Sequence, residues 1–166
     1  TSTSGKATCY LDTAGSASSN YYVDTVSGNQ ILSRDTVDVM SGNSYLQLNL
    51  SKPGSDYMPN DCSVGDVDGD GSYEIFLKWD PSNSKDNSQS GTTSNVYIDC
   101  YKLDGTRLWR IDLGKNIRAG AHYTQFMAYD LDGDGKAEVA MKTADGTVAG
   151  DGTVIGDSSK DYRNSG

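Results

Sequence analysis

An all-β fold is what the sequence predicts, and three observations predict it. Short runs of Tyr, Val, Ile and Leu are punctuated by Ser, Thr, Asn and Gly, with 19 Gly and 11 Tyr but only three Pro in 166 residues. Helical periodicity, apolar residues returning three and four positions apart, is almost absent. The third observation is a repeat. Asp66-Val67-Asp68-Gly69-Asp70-Gly71-Ser72-Tyr73-Glu74 returns as Asp130-Leu131-Asp132-Gly133-Asp134-Gly135-Lys136-Ala137-Glu138, and each copy runs straight into an apolar segment. A unit of about four strands recurring every 40 to 65 residues or so is the pattern of β-propeller blades.

Residues 1–57 read as the C-terminal part of a β-sandwich. Tyr21-Tyr22-Val23, Ile31-Leu32 and the alternating Tyr45-Leu46-Gln47-Leu48-Asn49-Leu50 are its expected strands. Lys52-Pro53-Gly54-Ser55 punctuates the passage to the next unit. Residues 58–166 read as the first blade and the start of a second. Ser63-Val64-Gly65 leads into the first acidic loop, and Glu74 to Trp79 forms a strand after it. A polar excursion, Asp80 to Ser94, separates that strand from a hairpin, Val96–Leu103 and Arg107–Leu113, turning at Asp104-Gly105-Thr106. Thr124 to Tyr129 leads into the second acidic loop, Glu138 to Thr143 repeats the strand, and Ala144-Asp145-Gly146-Thr147 turns again. A propeller closes only with four blades or more, so the expectation is part of a longer polypeptide.

Three aspartates at alternate positions repel one another unless a cation lies between them. A hard divalent ion seeking six to eight oxygens or so relieves that repulsion, and the glycine at the sixth position lets the backbone wrap around it. The expected ion is Ca2+. Its expected ligands are Asp66, Asp68, Asp70, the Ser72 carbonyl and Glu74, then Asp130, Asp132, Asp134, the Lys136 carbonyl and Glu138. The acidic residue stands at the ninth position; Leu77 and Met141 occupy the twelfth, where an EF-hand carries its bidentate Glu. These loops therefore end in a strand, and the role expected of the ion is to staple that turn.

The formal charge is -9, and eight of the 23 acidic side chains sit in the two loops. No basic stripe is present, which disfavours nucleic acid as a partner. No apolar run approaches a membrane span and the 166 residues contain no signal peptide, so a mature or trimmed product is the expectation. Calcium loops of modest charge suit the extracellular medium, so secretion is expected. Cysteines 9, 62 and 100 lack metal-ligand spacing and form one internal pair at most.

From Asn60 to Gly166 the chain closely resembles bacterial rhamnogalacturonan lyases of the propeller type. The resemblance rests on Gly65 to Gly71, Leu77-Lys78-Trp79-Asp80-Pro81-Ser82-Asn83-Ser84-Lys85-Asp86-Asn87 and Tyr101-Lys102-Leu103-Asp104-Gly105. It continues through Leu108-Trp109-Arg110, Asn116 to Phe126, and Met141-Lys142-Thr143-Ala144-Asp145-Gly146-Thr147. It implies a calcium-rich, eight-bladed propeller preceded by a fibronectin type III-like β-sandwich, to which residues 1–57 match loosely. It implies an endolyase that cleaves the galacturonate–rhamnose backbone of rhamnogalacturonan I by β-elimination. The catalytic residues would lie in later blades, the remainder of the same propeller, leaving the 166-residue chain inactive alone. It also places Asn60 and Asp80 where the family contacts rhamnose, an amide and a carboxylate suited to hydroxyls that donate and accept. The alternative is a non-catalytic calcium-stapled propeller that binds polysaccharide.

Asp61, beside the first loop, is a further ligand candidate. His122, the only histidine, is expected to be buried and hydrogen-bonded, holding a turn. Arg118 is expected to pair with a nearby aspartate, its other role being to grip a uronate carboxylate. Trp79 and Trp109 are expected to pack in the core. Asn83, Lys85, Asp86 and Asn87 belong to an excursion without apolar residues, expected to be a solvated loop for the most part.

Overall fold

The computed structural model describes residues 12–16, 18–37 and 45–163. The chain divides into two compact units, Thr1–Gln47 and Leu48–Gly166, so the second begins at Leu48 rather than at Met58. Strands make up the regular structure of the described residues, which contain no helix.

In the first unit, β1 (Tyr21–Ser27) and β2 (Gln30–Val37) form an antiparallel hairpin. Gly28, with φ of 60°, makes the tight reversal that a side chain would strain. Asp24 and Arg34 lie opposite each other, and the guanidinium grips the carboxylate through two bonds of 2.7 and 2.9 Å. Such an exposed pair contributes little stability but fixes register. The strand expected at Tyr45–Leu50 does not form. Its neighbouring backbone is engaged otherwise: the Ser51 carbonyl accepts from Arg110 and Tyr101, and Leu50 packs against the core of the second unit.

The second unit is built on an antiparallel meander of β3 (Tyr57–Gly65), β4 (Glu74–Pro81), β5 (Tyr97–Tyr101) and β6 (Arg107–Asp112). A separate hairpin follows, β7 (Phe126–Tyr129) with β8 (Glu138–Met141). The short strands β9 (Thr147–Val148) and β10 (Val154–Ile155) extend the meander, giving the order β10-β9-β6-β5-β4-β3.

Strand β4 is covered on both faces, and its apolar run follows from that. Leu77 and Trp79 join Tyr57 and Tyr101 on one face. Phe76 joins Cys100, Ala128 and Ala137 on the other, which brings β7 and β8 over the meander. Gly65 makes this approach possible, because a Cβ there would lie 2.6 Å from that of Ala137. A third cluster, Val96, Leu113, Ile117 and Ala119, closes the end where β5 begins and β6 stops. Both tryptophans pack as expected: Trp79 is buried, and Trp109 meets Phe76 edge-on at 5.6 Å.

One buried charge ties three strands together. Asp99 on β5 is fully buried and accepts from Trp79 Nε1 at 2.8 Å, Tyr101 Oη at 2.6 Å, and Arg110 Nε and Nη2 at 2.6 and 2.7 Å. These bonds raise the Arg110 guanidinium further above its ordinary value. With four donors the carboxylate is satisfied, and removing it strands a partly buried guanidinium, an indole N–H and a phenol together. Asp99→Asn is expected to cost about 3 kcal/mol of unfolding free energy, the scale of a buried pair broken on one side, read from urea denaturation.

Candidate functional site

The β3–β4 hairpin has two chemically different ends. Its connection is the first acidic loop; at the open end Met58 pairs with Asp80. The β7–β8 connection is the second acidic loop, and the two loops touch. Ala137 N donates to the Asp66 carbonyl at 2.6 Å, and the Lys136 stem lies over Gly69.

The loops repeat one hydrogen-bond scheme. Asp66 Oδ1 accepts from Gly69 N and Asp70 N at 2.6 and 3.2 Å, and Oδ2 from Gly71 N at 2.8 Å. Asp130 does the same with Gly133, Asp134 and Gly135 at 2.7, 3.1 and 3.0 Å. Asp70 Oδ1 accepts from Ser72 N, and Asp134 Oδ1 from Lys136 N, both at 2.8 Å. Glu74 reaches back to Val67 N and Glu138 to Leu131 N, again at 2.8 Å. The wrap needs left-handed backbone at the sixth position, which Gly71 and Gly135 supply with φ of 87° and 90°.

Carboxylate oxygens of Asp66, Asp68 and Asp70 lie within 4.8 Å of one another, as do those of Asp130, Asp132 and Glu138. Hard oxygen donors at this spacing, already oriented by backbone N–H groups, fit a calcium-sized ion. The loops differ in one respect. Lys102 Nζ sits 2.6 Å from Asp68 Oδ2 and 3.5 Å from Asp70 Oδ2. The Asp68 bond raises the Lys102 ammonium, while the Ser72 N–H chiefly lowers the Asp70 carboxyl. The second loop has no such cation among the described ion pairs.

Midway along β3, Asn60 and Asp61 form a bulge between Pro59 and Cys62, opposite Lys78, where the β3–β4 register shifts. Asn60 is exposed, its Oδ1 accepting from Asp61 N at 2.8 Å. Asp61 stands outside both oxygen clusters, and its Oδ2 accepts from Lys78 Nζ at 2.5 Å. Lys78 is fully buried, two residues from Asp80 on the same face of β4. No role was predicted for it, though a lysine inside Ile75-Phe76-Leu77-Lys78-Trp79 is itself a signal, because a buried ammonium must find an anion. Asp80 is half-buried and its Oδ1 is shielded without a hydrogen-bond partner. Burial raises its carboxyl, Lys78 opposes the rise, and Asp61 adds to it.

Several sequence expectations change. His122 is hydrogen-bonded but exposed, its Nδ1 2.6 Å from Asp86 Oδ1; this contact is the main cause of the lowered Asp86 carboxyl. It lies on a loop surface with no core side chain to cover it. Arg118 pairs with no aspartate. Its Nη2 donates to the Gln89 carbonyl, its guanidinium stands 5.6 Å over the Tyr123 ring, and its Nε has no partner. The polar excursion is closed by reciprocal bonds between Asn83 and Ser94, and Lys85 N donates to the Ala119 carbonyl at 3.0 Å. Cys62 and Cys100 are free thiols, Cys100 being pushed by burial to about 12; Cys9 lies outside the described residues.

The same fold occurs in solved lyases. Rhamnogalacturonan lyase YesW superposes with a TM-score of 0.84 at 61% identity, and a Bacillus licheniformis rhamnogalacturonan lyase PL11 with 0.83 at 57%. Each match covers 93% of this chain and 28% of the other. The chain belongs to rhamnogalacturonan lyase family 11: residues 47–166 match the C-terminal domain of that family. Among characterised relatives it is 60% identical to rhamnogalacturonan endolyase YesW and 55% identical to rhamnogalacturonan exolyase YesX, both of Bacillus subtilis. Those matches cover 96% of this chain but only 27% and 28% of the relatives' length.

A carboxyl raised in the native state holds its proton more tightly there than in the unfolded chain. The associated stability is present below the unfolded value and is lost as pH rises through the folded one. Asp80→Asn is therefore expected to raise the thermal midpoint at neutral pH. It should have no such effect in acid below the ordinary aspartate range, a contrast read from melts across pH.

Proposed function

We propose that this chain is the N-terminal part of a secreted rhamnogalacturonan endolyase. It would contribute calcium sites and part of the rhamnose-binding cleft of an eight-bladed propeller, with the fibronectin type III-like sandwich before it. The observation that carries the reading is the 60% identity to the endolyase across nearly the whole chain, against 55% to the exolyase.

The reaction removes the proton on carbon five of galacturonate, breaks the bond from carbon four to the glycosidic oxygen, and leaves a carbon four–carbon five double bond. Ca2+ bound in the two loops would supply charge neutralisation that locks the touching strand connections together. Asp66, Asp68, Asp70, the Ser72 carbonyl and Glu74 would hold one ion, and Asp130, Asp132, Asp134, the Lys136 carbonyl and Glu138 the other. Asp61 is the weaker ligand candidate, since Lys78 already engages it. Away from the loops, Asn60 and Asp80 would take rhamnose hydroxyls. Asp80 suits that task because its shielded Oδ1 awaits a donor. Lys78 holds the Asp61 side of the bulge and tempers the charge of Asp80. The proton-abstracting base belongs to the rest of the polypeptide.

Two outcomes are expected. The full-length polypeptide should generate ultraviolet-absorbing unsaturated uronate from rhamnogalacturonan I in calcium and not in chelator, with mixed oligosaccharide lengths marking endo action. Asp80→Ala or Asn60→Ala should raise KM about tenfold, the cost of one or two sugar hydrogen bonds. Saccharide binding without unsaturated product would select the non-catalytic alternative. Separately, Asp66→Asn and Asp130→Asn should each abolish one calcium-binding event in calorimetry and lower the thermal midpoint.

A further inference from the structure

The connections leaving β4, β6 and β8 all lie at the Asp80 end of the strands, opposite the acidic loops. Between the β4–β5 connection, the β6–β7 connection and the segment after β10 is a cavity of about 280 Å³ whose lining includes Thr92, Lys115, Asn116, Arg118 and Arg163. In a chain of net charge -9, three cations at one mouth are unusual.

The three do not contribute equally. Arg163 is spent on Asp161, which accepts from its Nε at 2.9 Å and its Nη2 at 2.5 Å. Lys115 makes none of the ion pairs of the described residues. Arg118 is oriented by the Gln89 carbonyl and the Tyr123 ring, yet its Nε is buried and without a partner. An unsatisfied guanidinium N–H is costly, and a carboxylate is the acceptor whose geometry fits it.

The walls are built by hydrogen bonds rather than by chance proximity. Asn116 donates to the Asp145 and Lys160 carbonyls at 2.8 and 3.0 Å and accepts from Tyr162 N at 2.8 Å. Thr93 Oγ1 accepts from Ala119 N at 2.8 Å, which joins the β4–β5 connection to the segment carrying Arg118. The pocket is thus a preformed polar cavity lined by two cations, Lys115 and Arg118, that make none of the ion pairs of the described residues.

We propose that this cavity is a second saccharide subsite, gripping the carboxylate of a galacturonate residue in the same polymer that meets Asn60 and Asp80. The inference rests on the lyase reading for its substrate. Lys115 and Arg118 are its anion-binding groups, and Thr92 lines the same cavity. An alternating polymer of neutral and acidic sugars calls for both kinds of contact, and this one chain then supplies both.

The test uses the full-length polypeptide with rhamnogalacturonan I at low and high salt. Lys115→Met is made first, because Lys115 belongs to none of the ion pairs of the described residues; Arg118→Met and Arg118→Lys follow. Lys115→Met and Arg118→Met are each expected to raise KM about fivefold to tenfold at low salt with kcat retained, and the effect should shrink at high salt as screening removes it. Arg118→Lys should recover part of the loss. Asp80→Asn should raise KM equally at both salt concentrations. Wild-type KM in Lys115→Met and Arg118→Met, with Asp80→Asn still impaired, would overturn the subsite and leave the lyase reading intact. A parent polypeptide that neither cleaves nor binds the polymer would overturn both.

Discussion

The Asp99 carboxylate is the constraint around which the second unit is organised. A charge with no solvent access tolerates only a complete set of donors, and Asp99 obtains them from three strands at once. Trp79 is thereby fixed on β4, Arg110 on β6, and Tyr101 beside Asp99 on β5. Arg110 also captures the Ser51 carbonyl, so the segment before β3 is held by the same guanidinium. A one-residue slip between any two of these strands would turn Trp79, Asp99 or Arg110 to the opposite face. The network therefore specifies register, which apolar packing on both faces of β4 would leave loosely defined.

With β4 fixed, the two ends of the β3–β4 hairpin can be given opposite chemistry. One end gathers carboxylates into two touching loops, tied by Ala137 N to the Asp66 carbonyl and admitted by the bare Cα of Gly65. The other end carries Asp80, and a bulge turns Asn60 and Asp61 out of the ladder. Asp80 is separated from the first acidic loop by nearly the length of β4, while the bulge lies opposite Lys78 midway along that strand.

The polar end is locally unfavourable in ways a purely structural hairpin would avoid. Lys78 is fully buried with an exposed carboxylate as its partner, and Asp80 keeps a shielded oxygen without a donor. Arg118 adds an unpartnered N–H on a neighbouring connection. Asp80 and Arg118 are left with unpartnered atoms at this end of the strands, while Asp99 elsewhere is fully satisfied.

What the sequence determined by itself follows from local chemistry. The acidic loops were legible because carboxylate spacing and glycine position lie within nine consecutive residues, and their hydrogen-bond scheme is local too. The Asp-Gly hairpin and the apolar β4 were legible because turn geometry and two-sided burial leave short-range patterns. Tyr45–Leu50 shows the limit: alternation promised a strand, but a strand exists only where another offers its ladder, and here Ser51 was taken by Arg110 instead. Asp99, Lys78 and the partners of His122 and Arg118 were decided by tertiary structure alone. A charged residue looks the same in sequence whether water or protein surrounds it, and its role depends on which distant groups the fold brings within three ångströms or so.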